Sequence, residues 1–348
     1  MNTPRASGYF RTSYEEDLRL LDTRTQRASF AAFAAGALVL PFVLGAFALD
    51  LANQVLLASI GAVALMLLTG YAGQISLGHA GLLAAGAFTT GILVKELSAP
   101  MWATLPASGL VGAALGLLFG LPSLRLRGLY LAVSTLALHF IVIHLGAEYE
   151  TKRGFSTGVV IASPITDPRA WYFTLLAAAA ATVLLSLNLL RTRTGRAWRA
   201  IHGREAVAGA LGISVQGAKL SAFVVSSTLT ALAGCLFAYY RGFVSAEAFP
   251  LFVTIQYVAM VIIGGMGSLL GALLGAVFVV LFPYAIEWGM KALLGGEAAN
   301  LMFAANYAAF GLVMILFLVF EPQGLVGIWK RAQNWLLLWP FKQKPLGK

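Results

Sequence analysis

Apolar residues along this chain come in unbroken runs, divided by short polar or glycine-rich segments. They follow neither the period of an amphipathic helix nor the alternation of a strand. A bilayer core about 30 Å thick needs roughly 20 apolar residues per helical crossing. Spans are therefore predicted at 29–49, 51–70, 79–94, 102–120, 129–147, 171–190, 220–240, 252–265, 269–287 and 301–320. The pattern reads as an all-α polytopic transmembrane helical bundle of about ten membrane helices. Two of them, 79–94 and 252–265, are short or broken. The expected organisation is an N-terminal segment 1–28, a transmembrane domain 29–320 and an interfacial tail 321–348. Within the domain lie a central basic loop 191–219 and an outer loop 148–170.

Composition supports the membrane class. Of 348 residues, 59% are hydrophobic and 11% charged, with a mean hydropathy of +0.82. Soluble domains carry about 25% charged residues. The net charge of +10 does not point to nucleic acid, because the basic residues cluster at the ends of apolar runs as topology signals. The single cysteine, Cys235, lies inside an apolar run, which excludes disulfides and thiolate metal sites.

Charge placement also predicts orientation. With the N-terminus inside, the inner segments hold Arg5, Arg11, Arg19, Arg24, Arg27, Arg125, Arg127, the five central-loop arginines, Lys219, Lys330, Arg331, Lys342, Lys344 and Lys348. The outer segments hold Lys95, Lys152, Arg153, Arg169, Arg241 and Lys291. That imbalance is what the positive-inside rule requires, so both termini and the central loop are expected in the cytoplasm. The segment 14–27 is expected to form a short interfacial helix, and the Trp-rich basic tail beyond Pro322 an interfacial anchor to lipid. The mixed-charge outer loop, with Pro164 and Pro168, suits either docking of a soluble partner or simple solvation.

Two stretches carry candidate function. The first is the glycine-rich segment 69–87, with Gly70, Gly73, Gly78, Gly81 and Gly86. Irregular backbone at membrane depth is tolerated only inside protein or beside a watery cavity. Gly73, Gln74, Ser76, Gly78 and His79 are therefore candidate pathway residues, with close helix packing as the competing reading. A second break, at 263–275, adds Gly264, Gly265 and Gly267, and the two breaks read as a possible internal repeat. The second stretch is the central loop, in which 192–203 and 204–212 are each expected to form a short helix separated at Gly203. Arg196, Arg199, Arg204, Glu205, Ala206, Gly209 and Gly212 are its candidate coupling residues. Glu205 suits the positive end of the second helix, and Ala206, Ala208 and Ala210 leave a smooth face.

No Asp or Glu lies centrally in any predicted span, which argues against ion-coupled transport. His139 and His144 are five residues apart, do not share a helix face, and read as packed or interfacial. Phosphate-loop, zinc-protease and serine-hydrolase motifs are missing from the sequence, so no enzyme or cofactor site is expected in this chain. Energy for uphill transport would then come from another polypeptide. A stand-alone secondary carrier or channel is the alternative from a different class.

The motifs GYAGQISLGHAG, PSLRLRGLYLAVSTLAL, GRAWRAIHGREAVAGALGI, KLSAFVVSSTLTALAGCLFA and MVIIGGMGSLLGALLGA, in that order, resemble the branched-chain amino-acid ABC permease family, most of all its M-type (LivM-like) subunits. The likeness runs over residues 9–329. It implies a bacterial inner-membrane importer subunit that pairs with an H-type permease, two cytoplasmic ATPases that hold ATP and Mg, and a periplasmic solute-binding protein. In that family the 196–212 region matches the loop that docks on the ATPase. The chain departs from the family pattern at Leu129, Val159, His202–Gly203 and Ala246, which leaves urea, amides and aromatic acids as alternative solutes.

Overall fold

A computed structural model describes residues 24–124, 128–155, 158–294 and 299–338. Most of the expected N-terminal segment, Arg125 and Arg127, Ser156 and Thr157 in the outer loop, and the three tail lysines lie outside the described residues.

The chain is helical from its first described residue. Helix α1 (Arg24–Val43) leads into α2 (Ala46–Leu65), which widens into a π-helical turn (Met66–Tyr71). Then follow α3 (His79–Leu97), α4 (Met101–Ser123), α5 (Leu129–Arg153) and α6 (Pro168–Arg191). The central loop holds α7 (Arg193–Gly203) and α8 (Glu205–Ala210). Beyond it run α9 (Val215–Arg241), α10 (Leu251–Gly264), α11 (Leu269–Leu294), α12 (Ala299–Phe320) and α13 (Gly324–Leu338). The described strands are two short ones, β1 (Val159–Val160) and β2 (Phe243–Val244), paired antiparallel.

Among the described residues eight helices are long and apolar enough to cross a membrane. A ninth apolar unit is a pair bent by 54°, Tyr307–Phe320 with Gly324–Gln333. The first expected span differs in its end. Helix α1 stops at Val43, and residues 46–49 belong to α2, so the apolar part of α1 is only Ala31–Val43. Pro41 removes a backbone donor there, and Gly45 adopts the extended conformation that caps α2. The outer loop also begins later than expected, because α5 continues to Arg153 and ends on the left-handed Gly154. Pro168 does stop and restart the chain, sitting in the first turn of α6 behind the Asp167 cap.

Helix α9 is the centre of the bundle and packs against α2, α3 and α4; α2 also packs on α6 and α11, and α10 on α11. Glycines set how closely α3 and α9 approach. A methyl group on Gly86 would overlap the Ala231 carbonyl, and one on Gly234 the Leu83 carbonyl. In a membrane, where lipid offers no hydrophobic drive for association, such close small-residue contact contributes packing energy alongside interhelical hydrogen bonds.

The loops separate into two ends. At one end Gly73 lies against His202, Gly70 against Gly267 and Gly265 against Gln323. At the other, Arg153 pairs with Glu96 at 2.8 Å, β1 pairs with β2, and Glu150 accepts from the Ala246 N–H. This sorting matches the alternation expected from the charge pattern.

Candidate functional site

The two stretches singled out in the sequence meet at the first of these ends. There α7 and α8 form an elbow held down by a few buried groups. Trp198 is fully buried and its indole N–H donates to Ser221 Oγ at 3.0 Å; Ile201 and Ala208 are buried beside it. Gly195 lets α7 fold directly onto the last turn of α6, since any side chain would meet the Leu189–Leu190 backbone. Thr192 caps α7 through the Gly195 N–H. Helix α8 closes with Gly212 in the left-handed region (φ 82°), the Gly212 N–H bonding to Gly209 O and Ile213 N–H to Ala208 O. That paired arrangement satisfies carbonyls a short helix would otherwise leave bare.

The candidate coupling residues divide by their contacts. Arg196 donates to the Arg191 carbonyl at 2.8 Å and Arg199 to the Leu190 carbonyl at 2.6 Å. Both guanidinium groups thus neutralise the negative end of α6. Arg199 also stands 6.0 Å over the Tyr71 ring. Arg204, Ala206, Gly209 and Gly212 are exposed. So are Val207 (50%) and Leu211 (76%), four residues apart and therefore on one face of the elbow. Glu205 turns inward to pair with Lys219 at 2.5 Å.

The glycine-rich break begins where α2 loosens. Ala72 N–H reaches back to Leu67 O and Gln74 N–H to Leu68 O, each longer than an α-helical step. Gly73 takes a positive φ of 69° under His202, a conformation and a space suited to glycine. Gln74 is buried and donates to the Lys219 carbonyl at 3.0 Å. Ser76 accepts from the Gly78 N–H, and Gly78 lies against the Thr135 carbonyl. Threonines restore the bonds the broken helix gives up: Thr135 accepts from Leu77 N–H at 2.9 Å, Thr254 from Ala80 N–H at 3.0 Å. His79 is buried, with Nδ1 3.4 Å from Thr230 Oγ1 and its ring 4.7 Å from that of Tyr257.

The second break joins the first. Gly70 packs on the Gly267 amide, Gly264 on the Gly271 carbonyl, and Gly265 (φ 114°) on Gln323 of the turn into α13. Of the expected pathway residues, Gly73 and Gly267 reach the surface of the isolated chain, next to exposed Ile75 and Met266; Gln74, Ser76, Gly78, His79, Gly264 and Gly265 are buried. His139 is buried behind Gly81, whereas His144 is exposed.

Lys219 is the residue that sequence reasoning missed: it was counted only as one more inner cation. Its signal is a lysine one turn inside α9, beside Ala218 and three residues before Ala222, on the face of the helix that is buried. The threonine partners of the break lie 58 and 174 residues from it in sequence, beyond the reach of local pattern.

A sequence model described as "Branched-chain amino acid transport system / permease component" matches residues 47–320. The high-affinity branched-chain amino acid transport system permease proteins LivM of Salmonella typhimurium and Escherichia coli are each 32% identical over 87% of this chain and 76% of their own length. A probable LivM of Methanocaldococcus jannaschii is 28% identical over 63% of this chain and 66% of its own. No solved structure shows significant similarity. The helical bundle, its two glycine-rich breaks and its basic elbow are those of a multi-pass membrane protein, and the chain belongs to the branched-chain amino acid transport permease family.

Proposed function

We propose that this chain is the permease subunit of an ATP-driven importer of branched-chain amino acids, working with an H-type permease, two cytoplasmic ATPases that carry ATP and Mg, and a periplasmic binding protein. The names of its relatives support the solute class. The excess of basic residues on one set of loops supports a cytoplasmic elbow and cytoplasmic termini in a bacterial inner membrane.

The observation that carries the reading is the elbow itself. Its anchored side is apolar and buried through Trp198, Ile201 and Ala208, while its free side presents Val207 and Leu211 among exposed Arg193, Arg196 and Arg204. An apolar centre with a basic rim is the make-up of a protein-docking patch. On its other flank the elbow touches the break through His202 on Gly73, Arg199 on Tyr71, and the Glu205–Lys219 pair. Closure of the ATPases would press Arg204 to Gly212 and shift Gly73, Gln74, Ser76, Gly78 and His79 against Gly264, Gly265 and Gly267. Those two breaks form the inner end of the path in this reading.

The test is uptake of labelled leucine by proteoliposomes holding the complete transporter, with urea and phenylalanine as competing solutes. Val207→Glu with Leu211→Glu should release the ATPases from the purified complex and abolish ATP-dependent uptake. Gly209→Trp should act likewise while leaving the chain inserted. Retained ATPase association in the double variant would overturn the docking role, and uptake of urea in preference to leucine would overturn the solute assignment.

A further inference from the structure

Lys219 occupies an unusual position. Its side chain is 8% exposed, yet its ammonium meets a carboxylate on a different element, Glu205 of α8, at 2.5 Å. Its carbonyl, on the same residue, accepts from Gln74 Nε2 at the centre of the glycine-rich break. Glu205 is 36% exposed, so the pair has one foot in the bundle and one on the elbow. An ammonium that far from water is held in place by its partner, because separating them leaves an uncompensated buried charge.

The pair also borders open space. It lines a cleft of about 270 Å³ with Leu124, Ala206, Val215 and Gln216, so the described residues do not pack solidly around this side of the pair. The other side is closely packed: Gln74 is buried, a side chain on Gly73 would meet His202, and Thr69 Oγ1 bonds to the Gln74 carbonyl at 3.0 Å.

We propose that Lys219 is the positioning residue through which displacement of the elbow reaches the glycine-rich break, its ammonium following Glu205 and its carbonyl carrying Gln74. This deepens, and rests on, the reading of the elbow as the ATPase seat. The two links can be cut separately. Lys219→Met removes the ammonium and leaves the backbone bond to Gln74. Gln74→Leu removes that bond and leaves the ion pair.

The experiment measures leucine transported per ATP hydrolysed in proteoliposomes of the complete transporter. Each variant should lose about tenfold or more in that ratio while hydrolysis changes by less than about threefold, the loss of a coupling free energy rather than of the motor. Lys219→Arg should stay close to the parent, as should Gln216→Ala on the same cleft wall. The exchange Glu205→Lys with Lys219→Glu should recover most of what either single change loses, the pairwise energy expected of two charges in contact. A merely structural role would lower both activities together, and an exchanged pair no better than its singles would overturn the proposal. If Lys219→Met fails to insert, the comparison of the exchanged pair with Glu205→Lys decides. If the elbow is not the ATPase seat, Val207→Glu with Leu211→Glu keeps its ATPases; if only the Lys219 role is wrong, the ATPases are lost there and Lys219→Met transports normally.

Discussion

Trp198 is the largest fully buried side chain described in this protein, and it holds the elbow to the bundle. Replacing it with alanine removes an indole from a closed site and leaves the Ser221 hydroxyl without its donor, although Ser221 Oγ still donates to the Ala218 carbonyl at 2.9 Å. Aromatic-to-alanine changes in packed cores cost about 3–5 kcal/mol. The loss should fall on the elbow rather than on the whole fold. The other buried apolar anchors of α7 and α8 are Ile201 and Ala208, whereas α9 is held independently by α2, α3 and α4. Local opening of 193–210 should therefore become about 10²- to 4 × 10³-fold more frequent, since each 1.4 kcal/mol is a factor of ten. Amide hydrogen exchange of the full chain in lipid discs reads this directly: amides of α7 and α8 should lose protection while those between 222 and 238 keep theirs. Trp198→Phe, which keeps most of the volume and loses the N–H, should give a smaller effect in the same direction. Unchanged exchange in the elbow, or an equal loss throughout α9, would refute the argument that this one side chain carries the attachment.

Other outcomes follow from single contacts. Gly86→Ala and Gly234→Ala each push α3 from α9 and should destabilise by about 1–3 kcal/mol, and the double variant should cost clearly less than the sum because one separation relieves both overlaps; additive losses in denaturant titration would contradict a shared contact. Thr254→Val leaves the Ala80 N–H buried without its acceptor and should cost about 1–3 kcal/mol by the same titration, whereas a neutral result would mean the break finds another partner. The Arg331 guanidinium holds the Glu321 carboxyl below its usual 4.5. A lowered folded value means the ion pair favours the bend between α12 and α13 above pH 4.5 and is lost as pH falls through that lower value. Spin labels on the two helices should report a broader distance distribution in acid, and Glu321→Gln should show that breadth at neutral pH.

Much of this was legible in the sequence because its causes are local. The elbow's two helices were expected at 192–203 and 204–212 and occur as Arg193–Gly203 and Glu205–Ala210, since Thr192, Gly203 and Gly212 punctuate the chain whatever surrounds them. Helix spans were legible from apolar length alone. What could not be read is which residue each polar group meets. Gln74 and Lys219 are 145 residues apart, and nothing near either one announces the other. Gln74 and Ser76 suggested a watery lining from their polarity; in the isolated chain they are buried, satisfied by a helix carbonyl and a local amide. Polarity at membrane depth demands a partner, and the sequence does not say whether that partner is water, solute or the protein itself.

That distinction bears on how a push could cross the membrane. Helix α2 with the break that follows it is bonded to α9 at three heights: Gln74 of the break to the Lys219 carbonyl near the elbow, Ser226 Oγ to the Ala64 carbonyl at 2.8 Å in the middle, and Tyr240 to Asp50 at the far end. Asp50 is further held by Gln54 at 2.6 Å. A helix the length of α9 spans about 40 Å at 1.5 Å per residue, which is the full depth of a bilayer with its interfaces. In an apolar medium a hydrogen bond broken during motion is not replaced by water, so moving one of these helices without the other would cost the middle bond in full, besides straining the two at the ends. The cheaper motion carries both together, and it ends at Asp50 and Tyr240 on the face opposite the elbow.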